Sequence, residues 1–259
     1  MTSPAAPIAA SAGPVGGGGV VATQVHRLVA SALSTGGRCR VLDVGGGSGV
    51  WAVPLAVAGA QVTVVDASPD ALASLARRAR EAGVSDRVSG VQGDADLLGD
   101  VVGDTCADVV LAHGVLEVVE DVHGALVALA STLAPGGALS VVVAGRSAAV
   151  LHRALAGRLE DARHVLVDPD GRVGADDVVL RRFNVTGLES ALVGAGLVVQ
   201  LVQGDGVVAD LVPSALMETA PGSAATLAEL ERLASAAPPL RDLASRLHAV
   251  ATVVGGKPC

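Results

Sequence analysis

The residues whose spacing could do chemistry begin at Asp43. The pattern Asp43-x-Gly45-x-Gly47-x-Gly49 lies inside VLDVGGGSGVWA, Val41 to Ala52. Val41, Leu42 and Val44 predict the end of a buried strand. Three consecutive glycines stop it, and apolar residues return at helical spacing from Val50. That is strand, glycine turn, helix. Glycine is required where a side chain would hold the backbone away from a ligand. The free amides of a starting helix suit an anionic or polar ligand group. The acid narrows the choice: a carboxylate beside a pyrophosphate is repelled, whereas one facing a cation is favoured. A second register, G-x-G-x-x-A over Gly47 to Ala52, fits a nicotinamide or flavin fingerprint. A turn using glycine for conformation alone is the third reading.

Other groups fall at the ends of the following strands. The run QVTVVD closes on Asp66, about 17 residues past Gly49. There, with Ala67 beside it, an acid can take both hydroxyls of an adenosine ribose. Ser68-Pro69-Asp70 is also a good helix start, so Asp66 has a competing role as a cap. The third strand, RVSGVQGD, ends at Asp94-Ala95-Asp96, and the fourth, ADVVLAH, ends at His113. An imidazole at a switch point of the sheet can shape a ligand end, contact an acceptor or act as a base. A lone histidine also serves structure.

The elements that must position these groups follow from pattern. The chain has 259 residues, 51% of them apolar, with no Tyr, one Phe and one Trp, so the core is built from Val, Leu and Ala. A net charge of −8 gives no global attraction to nucleic acid or anionic membrane, though it leaves room for a local basic groove. No DNA or membrane partner is expected. Cys39, Cys106 and Cys259 lack zinc-ligand spacing and are expected as reduced thiols, with no metal site. Residues 1–19 form an Ala/Pro/Gly-rich tail expected to be disordered. Neither a signal peptide nor a run of the roughly 20 apolar residues a membrane helix needs is evident, so a cytoplasmic location is expected.

From Val20, VVATQVHRLVASAL predicts a helix beside the site. DALASLARRAREAG predicts another, and DVHGALVALASTLAPGGALSVVVA predicts helix, Pro135-Gly136-Gly137 turn and fifth strand. The rhythm then stops for an acceptor-side insertion, 146–182, holding seven of the 18 basic residues. Thr186 is expected to cap the next helix, and LVVQLVQG forms the sixth strand. Helical stretches around Leu211–Met217 and Ala224–Ala236 lead to LHAVATVVG, an antiparallel seventh strand. The expected fold is α/β: one doubly wound, Rossmann-like, seven-stranded and mostly parallel sheet over 20–259, with a helical insertion after strand five.

The Asp43–Gly49 motif, with Leu133-x-Pro135-Gly136-Gly137 before a strand, resembles class I methyltransferases that use S-adenosyl-L-methionine (SAM). HGVLEVVED, VLHRALAGRLED and LERLASAAPPLRDLASRLHAVAT together resemble, more narrowly, the bacterial tRNA 5-carboxymethoxyuridine methyltransferases. The resemblance implies SAM as cofactor, with Asp43 near its cationic end. Asp94 would accept from the adenine amino group, and the Ala95 amide would face a ring nitrogen. It implies a carboxylate on tRNA as acceptor, already nucleophilic at neutral pH. Arg246 stands where the family has an arginine that could hold that carboxylate bidentately. Leu247, Val118 and Gly145 replace the family's tyrosine, tryptophan and asparagine, and no basic residue stands at Val20–Thr23. Losing those aromatics removes stacking surface for a base. A small-molecule acceptor, a nicotinamide oxidoreductase and a non-catalytic SAM-binding module are the competing readings.

Overall fold

A computed structural model describes residues 19–94, 98, 106–213 and 222–253. Seven strands form one sheet: β1 Arg40–Val44, β2 Gln61–Asp66, β3 Val88–Gln92, β4 Ala107–His113, β5 Leu133–Ala144, β6 Leu197–Asp205 and β7 Arg246–Val253. Their order is β3-β2-β1-β4-β5-β7-β6. The chain builds outward from β1 to β3 and then returns to lay β4 against the other edge of β1. The order therefore reverses between β1 and β4, which opens a crevice beyond their carboxyl ends. Neighbours from β3 to β5 pair in parallel, whereas β7 runs antiparallel to both β5 and β6. The expected doubly wound sheet is the observed one.

The described helices are α1 Val20–Gly36, α2 Ala52–Val57, α3 Pro69–Glu81, α4 Val122–Ser131, α5 Arg146–Leu155, α6 Leu159–Val167, α7 Val185–Gly194 and α8 Ser223–Ala236. Alternation along β1 decides which face each residue serves. Leu42 and Val44 join a core with Leu126 and Leu129 of α4 and Leu188 and Leu192 of α7. Val41 joins the opposite core, with Val25 and Val29 of α1, Leu55 of α2 and Leu75 of α3. Asp43 shares the face of Val41, so its carboxylate is built into this second core. Apart from Phe183 in the first and Cys39 and Trp51 in the second, both layers are Val, Leu and Ala, as the aromatic-poor composition requires.

Several expectations need correction. The helix expected from Val50 starts only at Ala52, because turns occupy the residues up to Trp51. Pro135-Gly136-Gly137 does not precede β5. It forms an irregularity within it, where pairing with β4 jumps from Ala107↔Leu133 to Val109↔Ala138. The cap of α7 is Asn184, whose side chain accepts from the Gly187 N–H at 2.7 Å, rather than Thr186. An Asn two residues earlier in extended conformation reaches that amide. Leu211 lies in a turn, and the rest of the helix expected there, 214–217, lies outside the described residues. The tail, 1–18, lies outside them too. Cys39 is a free, buried thiol, but Cys106 is disulfide-bonded, against the expectation of a thiol.

Candidate active site at the β1–β4 switch point

The glycine turn is shaped by what lies beneath it. Gly45, Gly47 and Gly49 all have positive φ (70°, 55° and 76°), a conformation that side-chain-bearing residues rarely adopt. A methyl group on Gly49 would also overlap Leu75 of α3, and one on Gly46 would overlap the Asp43 carboxylate. Gly47 is different. Beyond its own neighbours, the nearest atom a methyl would meet is Asp66 Oδ2 at 3.8 Å. The turn is pressed onto Asp43 on one side and left roomier beside Asp66.

Asp66 is held before any ligand arrives. Its Oδ2 accepts from the Gly47 N–H at 2.8 Å and its Oδ1 from the Ser68 N–H at 2.9 Å. Each oxygen keeps lone-pair capacity for a further donor. The competing role as helix cap is filled by Ser68, whose Oγ accepts from the Ala71 N–H at 3.2 Å. The end of β3 supports the same corner: the Gly93 N–H donates to the Asp66 carbonyl, and Gln92 Nε2 to that of Ala67. Asp94 follows at an exposed position on this edge. Ala95, paired with it in the sequence reading, lies outside the described residues.

Asp43 is only 1% exposed, between Val64 and Leu111 in register on the flanking strands. Its Oδ2 is buried with no hydrogen-bond partner. Burial first, and the nearby Asp66 charge second, raise its carboxyl to about 7. Two acids with one unpartnered buried oxygen make an end of the sheet that a cation relieves. Apart from the resemblance, this is the physical reason for a cationic ligand.

His113 closes β4 on the same face. Its Nε2 lies 2.9 Å from Ser140 Oγ, and its Nδ1 is buried without a partner. Trp51 packs against it at 5.0 Å between ring centroids, edge to face. Burial, then the neighbouring His248, lower its pKa to about 3. The imidazole is thus neutral and packed edge to face with Trp51.

Arg246 reaches the same carboxyl edge, opposite Ala144 of β5. Its Nε donates to Asp205 Oδ2 at 2.7 Å, and its Nη1 lies 3.5 Å from Asp210 Oδ2. Two acids therefore already share this guanidinium, and the structure does not bring it beside His113 or Asp43. The insertion's arginines are also occupied. Arg146 donates to the carbonyls of Val165, Leu166 and Pro169, closing the carboxyl end of α6. Arg181 donates to Leu116 and Glu120 carbonyls, and Arg182 pairs bidentately with buried Asp177. Arg163 and Arg158 meet Glu160 and Asp161 on α6, while Arg153 and Arg172 bond the Ala149 and Ala175 carbonyls.

Sequence reasoning missed Glu117, Ser140, Gln203 and His248. Glu117 is buried just past His113, and its Oε1 accepts from the Ala144 N–H at 2.7 Å. Burial outweighs that bond and the charges of Arg181 and Arg182, leaving its carboxyl near 7. The signal for Ser140 and His248 was available: each is a polar residue flanked on both sides by apolar ones within a central strand.

Comparison with known proteins agrees with the fold. Residues 42–141 match the family model described as a methyltransferase domain. A relative is the tRNA 5-carboxymethoxyuridine methyltransferase of Escherichia coli (strain K12), 35% identical over 125 residues, 48% of this chain and 47% of that protein. A ubiquinone biosynthesis O-methyltransferase of Xanthomonas axonopodis pv. citri is 36% identical over 118 residues, 46% of this chain and 48% of that protein. The chain thus spans about half the length of the curated relatives it matches. In structure it is similar to a magnesium protoporphyrin IX methyltransferase from Synechocystis PCC 6803 with bound S-adenosylhomocysteine (SAH). There the TM-score is 0.56 at 16% identity, covering 90% of this chain and 83% of that one.

The fold is that of the class I methyltransferases. Residues 42–141 carry the likeness to a methyltransferase domain, and SAM is the cofactor such a domain would take. The residues present fit that group: an orphaned buried carboxylate oxygen, a second carboxylate preset for a diol, and a glycine turn between them. Among the described residues there is no cluster of three or more metal-ligating side chains, and no helix is long and apolar enough to cross a membrane.

A pH dependence follows. SAM carries positive charge; if its cationic end lies against Asp43, whose pKa is near 7, that carboxyl must lose its proton for tight binding. Affinity should therefore rise about tenfold from pH 6 to pH 7.5 and then level off. Calorimetry in two buffers of different ionisation enthalpy would register the released proton. A flat profile would contradict the assignment.

Proposed function

We propose that this chain is a SAM-dependent methyltransferase that transfers the methyl group to an acceptor oxygen. The observation that carries this is the pair of acids at the switch point, Asp43 buried with an unpartnered oxygen and Asp66 preset by Gly47 and Ser68. Asp66 takes the ribose hydroxyls, Ala67 and Asp94 take the adenine, and Asp43 offsets the positive methionine end. Gly45, Gly47 and Gly49 let the backbone come close. SAM supplies the electrophilic methyl. The protein's work is to hold the acceptor in line with it and keep water out, and orientation supplies most of the rate.

Two acceptors have specific support. The E. coli relative named for tRNA 5-carboxymethoxyuridine favours a carboxylate on tRNA, with Arg246 as its holder. The arginines favour a small-molecule oxygen acceptor instead. Arg246 is shared by Asp205 and Asp210, and the seven arginines of 146–182 each bond a carboxylate or carbonyl of the chain itself. With a net charge of −8, the insertion itself offers little to hold a phosphate backbone. The geometry therefore supports the small-molecule acceptor best. Incubation with methyl-labelled SAM, and either total tRNA carrying the carboxymethoxyuridine or a panel of phenols and carboxylic acids, separates them. Label in the small-molecule fraction supports this reading, label in tRNA replaces it, and label in neither removes the methyltransferase proposal.

A further inference from the structure

A chain of hydrogen bonds runs across the sheet beneath the site, and its direction can be worked out from one end. Gln203 of β6 places its Nε2 3.2 Å from the carbonyl oxygen of Val20, at the start of α1, and 2.9 Å from His248 Nδ1. A backbone carbonyl can only accept, so the atom facing it is the amide nitrogen. That same NH2 group must then donate its other proton to His248 Nδ1, which leaves the proton of His248 on Nε2. His248 Nε2 lies 2.8 Å from Ser140 Oγ and donates to it. Among the described contacts, the acceptor open to the hydroxyl's own proton is His113 Nε2 at 2.9 Å. His113 is thereby left with its lone pair consumed and its proton on Nδ1.

We propose that Gln203, His248 and Ser140 are positioning residues that lock His113 as a neutral Nδ1–H donor, and that this donor takes a carboxylate oxygen at the β4 end of the site. The proposal rests on the SAM reading above. Register brings the links together: Gln203, His248, Val142 and His113 are register partners across β6, β7, β5 and β4, so their side chains share one face. Both imidazoles are held neutral by burial, in keeping with that polarity. The far end carries the unused capacity, because Nδ1 is buried without a partner. An orphaned buried donor costs stability unless something uses it.

The partner follows from position and charge. Asp66 and Asp94 lie beyond β1, at the β2 and β3 ends, and take the adenosine. β4 is on the other side of β1, so the methionine end falls there. Of the groups at that end, sulfonium and ammonium accept no hydrogen bond and the carboxylate does. A carboxylate on the methyl acceptor has the same chemistry and is the alternative source. In either case His113 is a donor with no free lone pair, so it does not serve as the base. The acceptor must bring its own ionised oxygen or lose its proton to another group.

The test uses the intact protein, 15N-labelled at histidine, with SAH and with 5′-methylthioadenosine, which lacks the amino-acid end. In the free protein His113 should show a protonated Nδ1 and an unprotonated Nε2. SAH should shift the Nδ1 signal, whereas methylthioadenosine should not. Ser140→Ala should weaken SAH about three- to tenfold and leave methylthioadenosine unchanged. Gln203→Met, at a half-buried position less critical for folding, should mix the tautomers of both histidines. A His113 proton found on Nε2 in the free protein overturns the relay, whatever the protein binds. A fixed Nδ1–H that no SAH titration moves assigns it to the acceptor's carboxylate if a bound carboxylic acid shifts it, and overturns the donor role if none does. Failure of both nucleosides to bind while the tautomer stands would instead count against the SAM reading alone.

Discussion

Asp66→Ala is expected to weaken SAM binding by at least about a hundredfold while leaving the protein folded. The loss has two parts. Two hydrogen bonds from ribose hydroxyls to a charged acceptor contribute roughly 1.5–3 kcal/mol each, and every 1.4 kcal/mol is tenfold in affinity. The Gly47 and Ser68 amides also lose the carboxylate that fixes them, so the turn is no longer preset. Folding should survive because the carboxylate is partly exposed and Ser68 still caps α3. Calorimetric titration beside a thermal melt checks both halves. Unchanged affinity in the variant would remove Asp66 from the site.

Asp43→Asn should do two opposite things. Binding of SAM at pH 7.5 should fall by about tenfold or more, since the charge facing the cationic end is gone. Stability at the same pH should rise. The carboxyl of Asp43 has its folded pKa raised from 3.8 to about 7, so the folded protein binds more protons than the unfolded chain within that window. Stability therefore falls as pH climbs from about 4 to 7 and stays reduced above it. Asparagine removes this cost, of order 4 kcal/mol at most, in return for an amide with an imperfect set of partners. A gain of about 1–2 kcal/mol at pH 8, absent at pH 4, is the expected net. Urea unfolding at the two pH values reads it, and a variant less stable than the parent at pH 8 would contradict it. Such a site stores instability that its ligand relieves.

Much of this was legible in the sequence because it is a matter of local pattern. The strand-turn-helix unit from Val41, the acid closing β2, the antiparallel β7 and the strands between them follow from apolar periodicity and turn residues. Their positions in the sheet follow from the class. The failures share one cause. Where a role depends on which distant group arrives first, one-dimensional spacing is silent. Arg246 reads as a free guanidinium until β6 brings Asp205 alongside it. The basic residues of 146–182 read as an acceptor surface until α6 and the loop after it turn their carbonyls and Asp177 toward them. His113 reads as a base until Ser140, 27 positions away, fills its Nε2. The Pro135-Gly136-Gly137 run reads as the end of a turn because the strand on either side of it is joined only through β4.

The central claim is that the chain binds SAM beyond the carboxyl ends of β1, β2 and β4. The most direct measurement is calorimetric titration of the intact protein with SAM and with SAH, followed by NADH under the same conditions. The account predicts saturable micromolar binding of SAM and SAH, and none of NADH. A folded protein that ignores both SAM and SAH, or that binds NADH instead, would contradict it and return the glycine turn to the G-x-G-x-x-A register.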